Sequence, residues 1–255
     1  MKLKNMPLSQ LFENNTPAVA GKFGSSECRA LYSHLTGLDM KPTDLYDIFV
    51  VAGVFPPTEE SLHEFCEDYS GYLKDVDIMA KWLGDNESYL LNNFCNHSEL
   101  VALRELEPYY WDNPWSKFLK DKTVLVISPF ASTIKSQYKK RELLWENKEV
   151  LPEFKLKTIM CPLSWYFENN NSTSWSSDLE NLKQRMADET FDVCLVGAGA
   201  WSLPLAVHAK RLGGIGVHLG GSLQILFGIK GRRWDNHEVI SHFYNKHWVR
   251  PSEKE

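Results

Sequence analysis

A chain of 255 residues, 43% apolar and 24% charged, has the composition of a soluble globular protein with room for one large core. Its net charge of −5 argues against a general nucleic-acid binder, which carries a basic face. No run approaches the roughly 18 apolar residues of a membrane span, and the opening MKLKNMPLSQ lacks the apolar core of a signal peptide, so a cytoplasmic location is expected. Cys28, Cys66, Cys95, Cys161 and Cys194 are scattered, odd in number and form no C-x-x-C pair, and are read as reduced, buried side chains. There is no H-E-x-x-H or comparable cluster, so spacing along the chain points to no structural zinc site.

Residues 1 to 16 read as an irregular arm or a short helix. Ala18 to Phe23 is predicted to be a strand, with Gly24-Ser25-Ser26-Glu27 turning into a helix that reaches about Leu35. Ser25 or Ser26 can cap that helix, and Glu27 falls in its first turn, where the helix dipole favours a carboxylate. Ile48 to Phe55 is the best strand candidate in the next stretch. From Thr58, a capping residue, the apolar positions Leu62, Phe65, Cys66, Tyr69, Leu73, Val76, Ala80 and Leu83 recur at helical steps, predicting one long helix. Asp77 borders the apolar stripe of that helix. Asn86 to Glu107 reads as helical, and EPYYWDNPWSKFL (107–119) as a dense aromatic connection suited to sugars or to packing.

From residue 122 strands and helices alternate. Strands are predicted at Thr123–Ile127, Leu156–Met160, Asp192–Val196 and Ile215–Leu219, with helices at Ser132–Trp145, from a Ser177/Glu180 capping box to Ala187, and at Leu203–Leu212. A low-complexity tract covers Asn169 to Ser177. The fold class expected is α/β: a Rossmann-like, mostly parallel sheet with helices on both faces and the Ala18 strand in the same sheet. The whole chain, 1–255, is expected to be one domain. Residues 1–119 form its mainly helical part with one or two strands, and 120–255 its nucleotide-binding half.

The most informative stretch is FDVCLVGAGAWSLPLAVHAKRLGGIGVHLGGSLQILFGIKGRRW (191–234). Gly197 and Gly199 end one strand and Gly220 and Gly221 the next, where α/β proteins bind ligands and bare backbone amides can meet an anion. Lys230, Arg232 and Arg233 follow. Gly197, Gly199 and Ser202 approximate a G-x-G-x-x-G fingerprint, but no acid ends the following strand to take ribose hydroxyls; the next is Asp235. A dinucleotide or methyl-donor site is therefore disfavoured, while an anionic ligand is expected.

The segments GKFGSSE (21–27), PWSKFLKDKTVLVISPF (114–130), STIKSQY (132–138), DVCLVGAGAWSLPLAVHAKRLG (192–213) and above all HLGGSLQILFGIKGRRW (218–234) resemble glycosyltransferases of the GT-D type. Related proteins occur among bacterial polysaccharide genes and in large algal viruses. The resemblance spans about residues 18 to 236. It implies transfer of a hexose or pentose from a UDP- or GDP-sugar to a glycan acceptor, and a divalent cation, Mn²⁺ or Mg²⁺, associated with an Asp-x-Glu motif. Here Ser25 stands in place of that Asp, leaving Glu27 as the one metal-ligating candidate.

Such a reaction needs donors around the departing diphosphate, a platform for the nucleoside and, for inversion, a carboxylate base. The glycines with Lys230, Arg232 and Arg233 are the candidates for the first, and Ser128, Pro129, Phe130 and Gln224 for the second. Asp77, near which the resemblance places an acid, is the first choice for the base and Glu27 the second; His218 at a strand end is the outside candidate. A non-catalytic nucleotide- or glycan-binding protein and a Rossmann methyltransferase are the competing readings. The residues name no oligomeric state.

Overall fold

The computed structural model describes residues 7–163 and 173–251. Its seven strands are β1 (Ala18–Lys22), β2 (Ile78–Lys81), β3 (Glu99–Ala102), β4 (Thr123–Ser128), β5 (Lys155–Met160), β6 (Val193–Val196) and β7 (Ile215–His218). They form one all-parallel sheet in the order β3-β2-β1-β7-β6-β4-β5. The strand at Ala18 lies in the interior of the sheet, with Ala20 opposite Ile78 on one side and Val217 on the other. Consecutive residues of the inner strands, such as Val124 to Ile127 and Val193 to Val196, are fully buried. Such continuous apolar runs arise when both faces of a parallel sheet are covered.

One face carries α2 (Ser25–Thr36), α4 (Glu59–Leu73), α5 (Asp85–Phe94), α7 (Trp175–Ala187) and α8 (Ser202–Arg211). The other carries α1 (Pro7–Asn14), α6 (Ala131–Tyr138), α9 (Ser222–Leu226) and α10 (Ile240–Phe243), together with the aromatic segment before β4. Helix α8 lies closest to the sheet, and Leu203, Leu205 and Val207 are fully buried beneath it. Burial of each is worth roughly 1.5–3 kcal/mol. Gly216 makes this approach possible: a Cβ there would sit 2.0 Å from the Ala206 carbonyl oxygen. Among the described residues no helix is long and apolar enough to cross a membrane. All five cysteines are free and buried.

Several sequence expectations are corrected. The long helix expected from Thr58 to Leu83 ends at Leu73, and the apolar positions beyond it belong to β2, where Ile78, Met79 and Ala80 are buried in succession. Helical spacing persisted by coincidence over a strand too short to show its own period. The helical reading of Asn86–Glu107 covers α5 and then β3, an edge strand whose exposed Glu99 and Leu100 mask any pattern. Three strands, not one or two, therefore come from residues 1–119. Ile48–Phe55 is no strand; α3 (Pro42–Tyr46) runs into a π-helical turn, Asp47–Val51. The Ser132–Trp145 helix stops at Tyr138, and Trp145 is buried separately, donating to the Leu226 carbonyl. Thr58 caps α4 as expected, but Ser174 rather than Ser177 caps α7, and no side chain caps α2. The aromatic connection is largely core: Trp115 is fully buried and Tyr109 stacks on Trp145. Residues 1–6 of the expected arm and Asn169–Ser172 of the low-complexity tract lie outside the described residues.

Candidate functional site

The chain leaves β1 and β6 into α2 and α8 on one face, and leaves the neighbouring β7 and β4 into α9 and α6 on the other. Adjacent strands whose connections diverge open a crevice at their carboxyl ends, the usual ligand position in such sheets. A cavity of about 390 Å³ occupies it here. Every strand end in the argument contributes: Lys22 and Gly24 to Glu27 after β1, Trp82 after β2, Ser128 to Phe130 from β4, Gly197 and Gly199 after β6, and His218, Gly220, Gly221, Gln224 and Arg233 after β7.

The two glycine turns are packed on each other. A Cβ on Gly197 would come within 2.6 Å of the Gly220 carbonyl, and Gly199 and Gly220 have φ of +56° and +57°, where other residues are strained. Not all their amides face a ligand. Gly197 N–H donates to the Ile127 carbonyl at 2.9 Å and Gly220 N–H to the Val196 carbonyl at 3.1 Å, which prolongs the sheet ladder. The Gly199 and Gly221 amides have no acceptor among the described residues. Ser202 holds the first turn by accepting from Ala198 N–H at 2.8 Å, and Ser128 does likewise for Phe130 N–H at 3.1 Å.

Two cations flank the second turn. The Arg233 guanidinium lies directly on Gly221, where any side chain would collide with it, and rests on the Trp234 ring at 3.9 Å. Lys22 Nζ sits 3.6 Å from the position of a Cβ on Gly220 and 4.8 Å from the centre of the Trp82 ring. Neither makes an ion pair among the described residues. Burial pulls Lys22 below the ordinary lysine range despite the attraction of Glu27 and Glu107. Partial desolvation of the guanidinium lowers Arg233 too, against Tyr109 and Glu107, although the residue as a whole is exposed.

Glu27 is the only carboxylate lining the cavity among the described residues. Its side chain folds over Gly24, where a Cβ would lie 2.1 Å from Oε2. Burial raises its pKa, opposed by its own main-chain amide and by Lys22 and Arg29. His218 is buried, and desolvation, aided by the Lys22 charge, lowers its pKa to about 3. It is therefore a neutral imidazole at physiological pH, and its Nδ1 has no hydrogen-bond partner among the described residues. Glu87, fully buried, shapes the rim by accepting from Trp82 N–H and Leu83 N–H at 2.9 and 2.7 Å; Trp82 Nε1 in turn donates to the Phe23 carbonyl.

The structure thus brings Glu27, Ser128, Pro129, Phe130, Gly197, Gly199, His218, Gly220, Gly221, Gln224 and Arg233 to one cavity. Arg232 lines a second, larger one of about 820 Å³ with Lys230 and Arg250, which shares Phe130, Leu163 and Gln224 with the first. Asp77 is elsewhere. It opens β2 at the amino end of the sheet, accepting from Val19 N–H at 2.7 Å and from Lys210 Nζ at 2.8 Å. Lys22, Trp82 and Glu87 escaped sequence reasoning. Lys22 stood within the quoted GKFGSSE, whereas Trp82 and Glu87 follow a strand that the helical spacing concealed. No family model, curated protein or solved structure matches the chain.

Proposed function

We propose that the protein is a glycosyltransferase that moves a sugar from a nucleoside diphosphate sugar, UDP- or GDP-linked, to a glycan acceptor with inversion. The observation that carries this reading is a pair of cations, half-buried Lys22 and exposed Arg233, that have no ion-pair partner among the described residues and flank a glycine turn in the same cavity as Glu27, the one carboxyl group that lines it among the described residues. The motifs that resemble GT-D glycosyltransferases supply the donor class. A diphosphate would complete the charge balance of the two cations, and negative charge grows on it as the sugar leaves. The Ser128–Phe130 strand end and Gln224 offer a platform and a polar contact for the nucleoside.

In the reaction so proposed, an acceptor hydroxyl oxygen forms a bond to the anomeric carbon while the carbon–oxygen bond to the diphosphate breaks. The bonding pair leaves on the diphosphate, and the hydroxyl proton passes to the Glu27 carboxylate. A raised pKa makes Glu27 the stronger base once ionised. Asp77, tied to Lys210 at the other end of the sheet, is not proposed for this role. The donor set does not fit a protein-held Mn²⁺ or Mg²⁺. Such ions take one or two ionised carboxylates besides the phosphates, and the one carboxyl lining the cavity among the described residues is desolvated and faced by Lys22. Lys22 and Arg233 take over charge neutralisation in this reading.

The test is hydrolysis of a panel of UDP- and GDP-sugars without acceptor, each with Mn²⁺ and with EDTA, followed by release of free nucleotide. Slow turnover of one donor that persists in EDTA is expected. Silence across the panel, with no thermal stabilisation by any nucleoside diphosphate, overturns the proposal. Stabilisation without turnover assigns the cleft to a nucleotide-binding protein.

A further inference from the structure

Away from the cleft, helices α2 and α4 bring together three side chains of metal-ligating type from two separate stretches of the chain. His34 lies in the last turn of α2, and His63 and Glu67 lie one turn apart on the same side of α4. One ligand atom from each falls within 4.8 Å of the others. His34 Nε2 is 2.7 Å from Glu67 Oε1, and the two imidazole rings meet edge to face with centres 4.9 Å apart. An ion pair between His34 and Glu67 accounts for two of these groups and leaves the second imidazole outside it.

We propose that His34, His63 and Glu67 form a binding site for a borderline transition-metal dication, represented by Zn²⁺, that clamps α2 to α4. Two imidazole nitrogens and one carboxylate oxygen match the donor preference of such ions, whereas Mg²⁺ and Ca²⁺ prefer all-oxygen shells. Ligand bonds of about 2.0–2.2 Å in a tetrahedral shell put neighbouring donor atoms about 3.4 Å apart. That value lies between the 2.7 Å of the closest pair and the 4.8 Å limit of the group. His63 and Glu67 are exposed and His34 half-buried, so small rotamer changes can close the shell, with water in the fourth position. His34 is seven residues beyond Glu27 on α2, about 10 Å along the axis. The ion is therefore a structural clamp on the helix that starts at the cleft and takes no part in the chemistry there.

The test is calorimetric titration of the EDTA-treated full chain with ZnCl₂, paired with thermal melts in Zn²⁺ and in EDTA. One saturable site and a rise in Tm of several degrees are expected. Both should be lost in His63→Ala, an exposed position whose Tm in EDTA stays at the wild-type value. Glu67→Gln weakens binding and serves as the reporter if His63→Ala misfolds. Absence of saturable binding, or an isotherm unchanged in both variants, overturns the proposal, as does an equal rise in Tm from MgCl₂.

Discussion

The two ends of the sheet use similar side chains in opposite ways. At the amino end the charges are paired: Asp77 with Lys210 and Val19 N–H, and Asp75 with Arg211. Asp192 there accepts from Thr123 N–H, tying β6 to β4. At the carboxyl end half-buried Lys22 and exposed Arg233 have no ion-pair partner among the described residues, and Glu27 and His218 are buried beside them. Helix α8 connects the ends, starting beside the Gly199 turn and finishing at Lys210 and Arg211. Paired charges at one end stabilise the fold by themselves. Unpaired ones at the other are costly in the free protein and favourable once a ligand supplies the missing charge.

The largest expected effect separates the two carboxylates. Glu27→Gln should lower turnover of the hydrolysed donor by about 10²–10⁴-fold while nucleotide affinity persists. Asp77→Asn should leave turnover within about threefold and lower stability by about 1 kcal/mol, a modest figure because the Lys210 pair is partly exposed. Steady-state kinetics on the two variants settles the matter, and loss of turnover in Asp77→Asn would move the chemistry to the wrong end of the sheet.

Next come the cations. Lys22→Met and Arg233→Met should each weaken nucleoside diphosphate binding by about 10–100-fold, as expected for charge-assisted hydrogen bonds. Lys22→Met should also raise the Tm of the free protein, because it removes a desolvated charge, whereas Lys210→Met at the other end should lower it. Melting both variants without ligand tests this opposition of signs. If the two shifts had the same sign, the comparison of the ends would fail. Gly216→Ala, which pushes α8 off the sheet that it spans, should cost about 1–3 kcal/mol in urea unfolding without a selective effect on either end.

A last effect is a slope, spread over several pH units rather than seen at one condition. The His218 pKa is depressed in the folded protein to about 3 from an ordinary value of 6.5. The stability contributed by the neutral imidazole is therefore complete above pH 6.5 and is lost as pH falls through about 3. Over that window one such group contributes a slope of up to about 1.4 kcal/mol per pH unit. Urea midpoints measured from pH 7 to pH 4 should fall less steeply for His218→Gln than for the wild type. Parallel curves would show that His218 is not held neutral.

The legible part of the fold was the part in which each strand is apolar throughout and its connection is a periodic helix. β4, β6, β7 and α8 lay where their spacing placed them, as did the glycine turns between them. β2 and β3 were not legible. Four-residue strands, one followed by a tight turn and one exposed at an edge, are shorter than the window in which a period can be recognised. Losing β2 misplaced Asp77, since a residue assigned to the rim of a helix was the first before a strand, at the end away from the cleft. For the same reason Trp82 and Glu87 went unnoticed. In the cleft, residue identity pointed to the glycines, Glu27, His218 and Arg233, but could not tell which amides the sheet would claim.

The sequence by itself determined the layered α/β class and the two consecutive glycine turns, because these follow from local apolar runs and the steric freedom of glycine. Only the tertiary structure decided the strand order that puts β1 beside β7 and so brings Lys22 to the turn after β7. It also decided which carboxylate shares a cavity with that lysine and the meeting of His34 with His63 and Glu67. These are long-range juxtapositions, set by how helices and strands pack across dozens of intervening residues, and a local pattern carries no record of them.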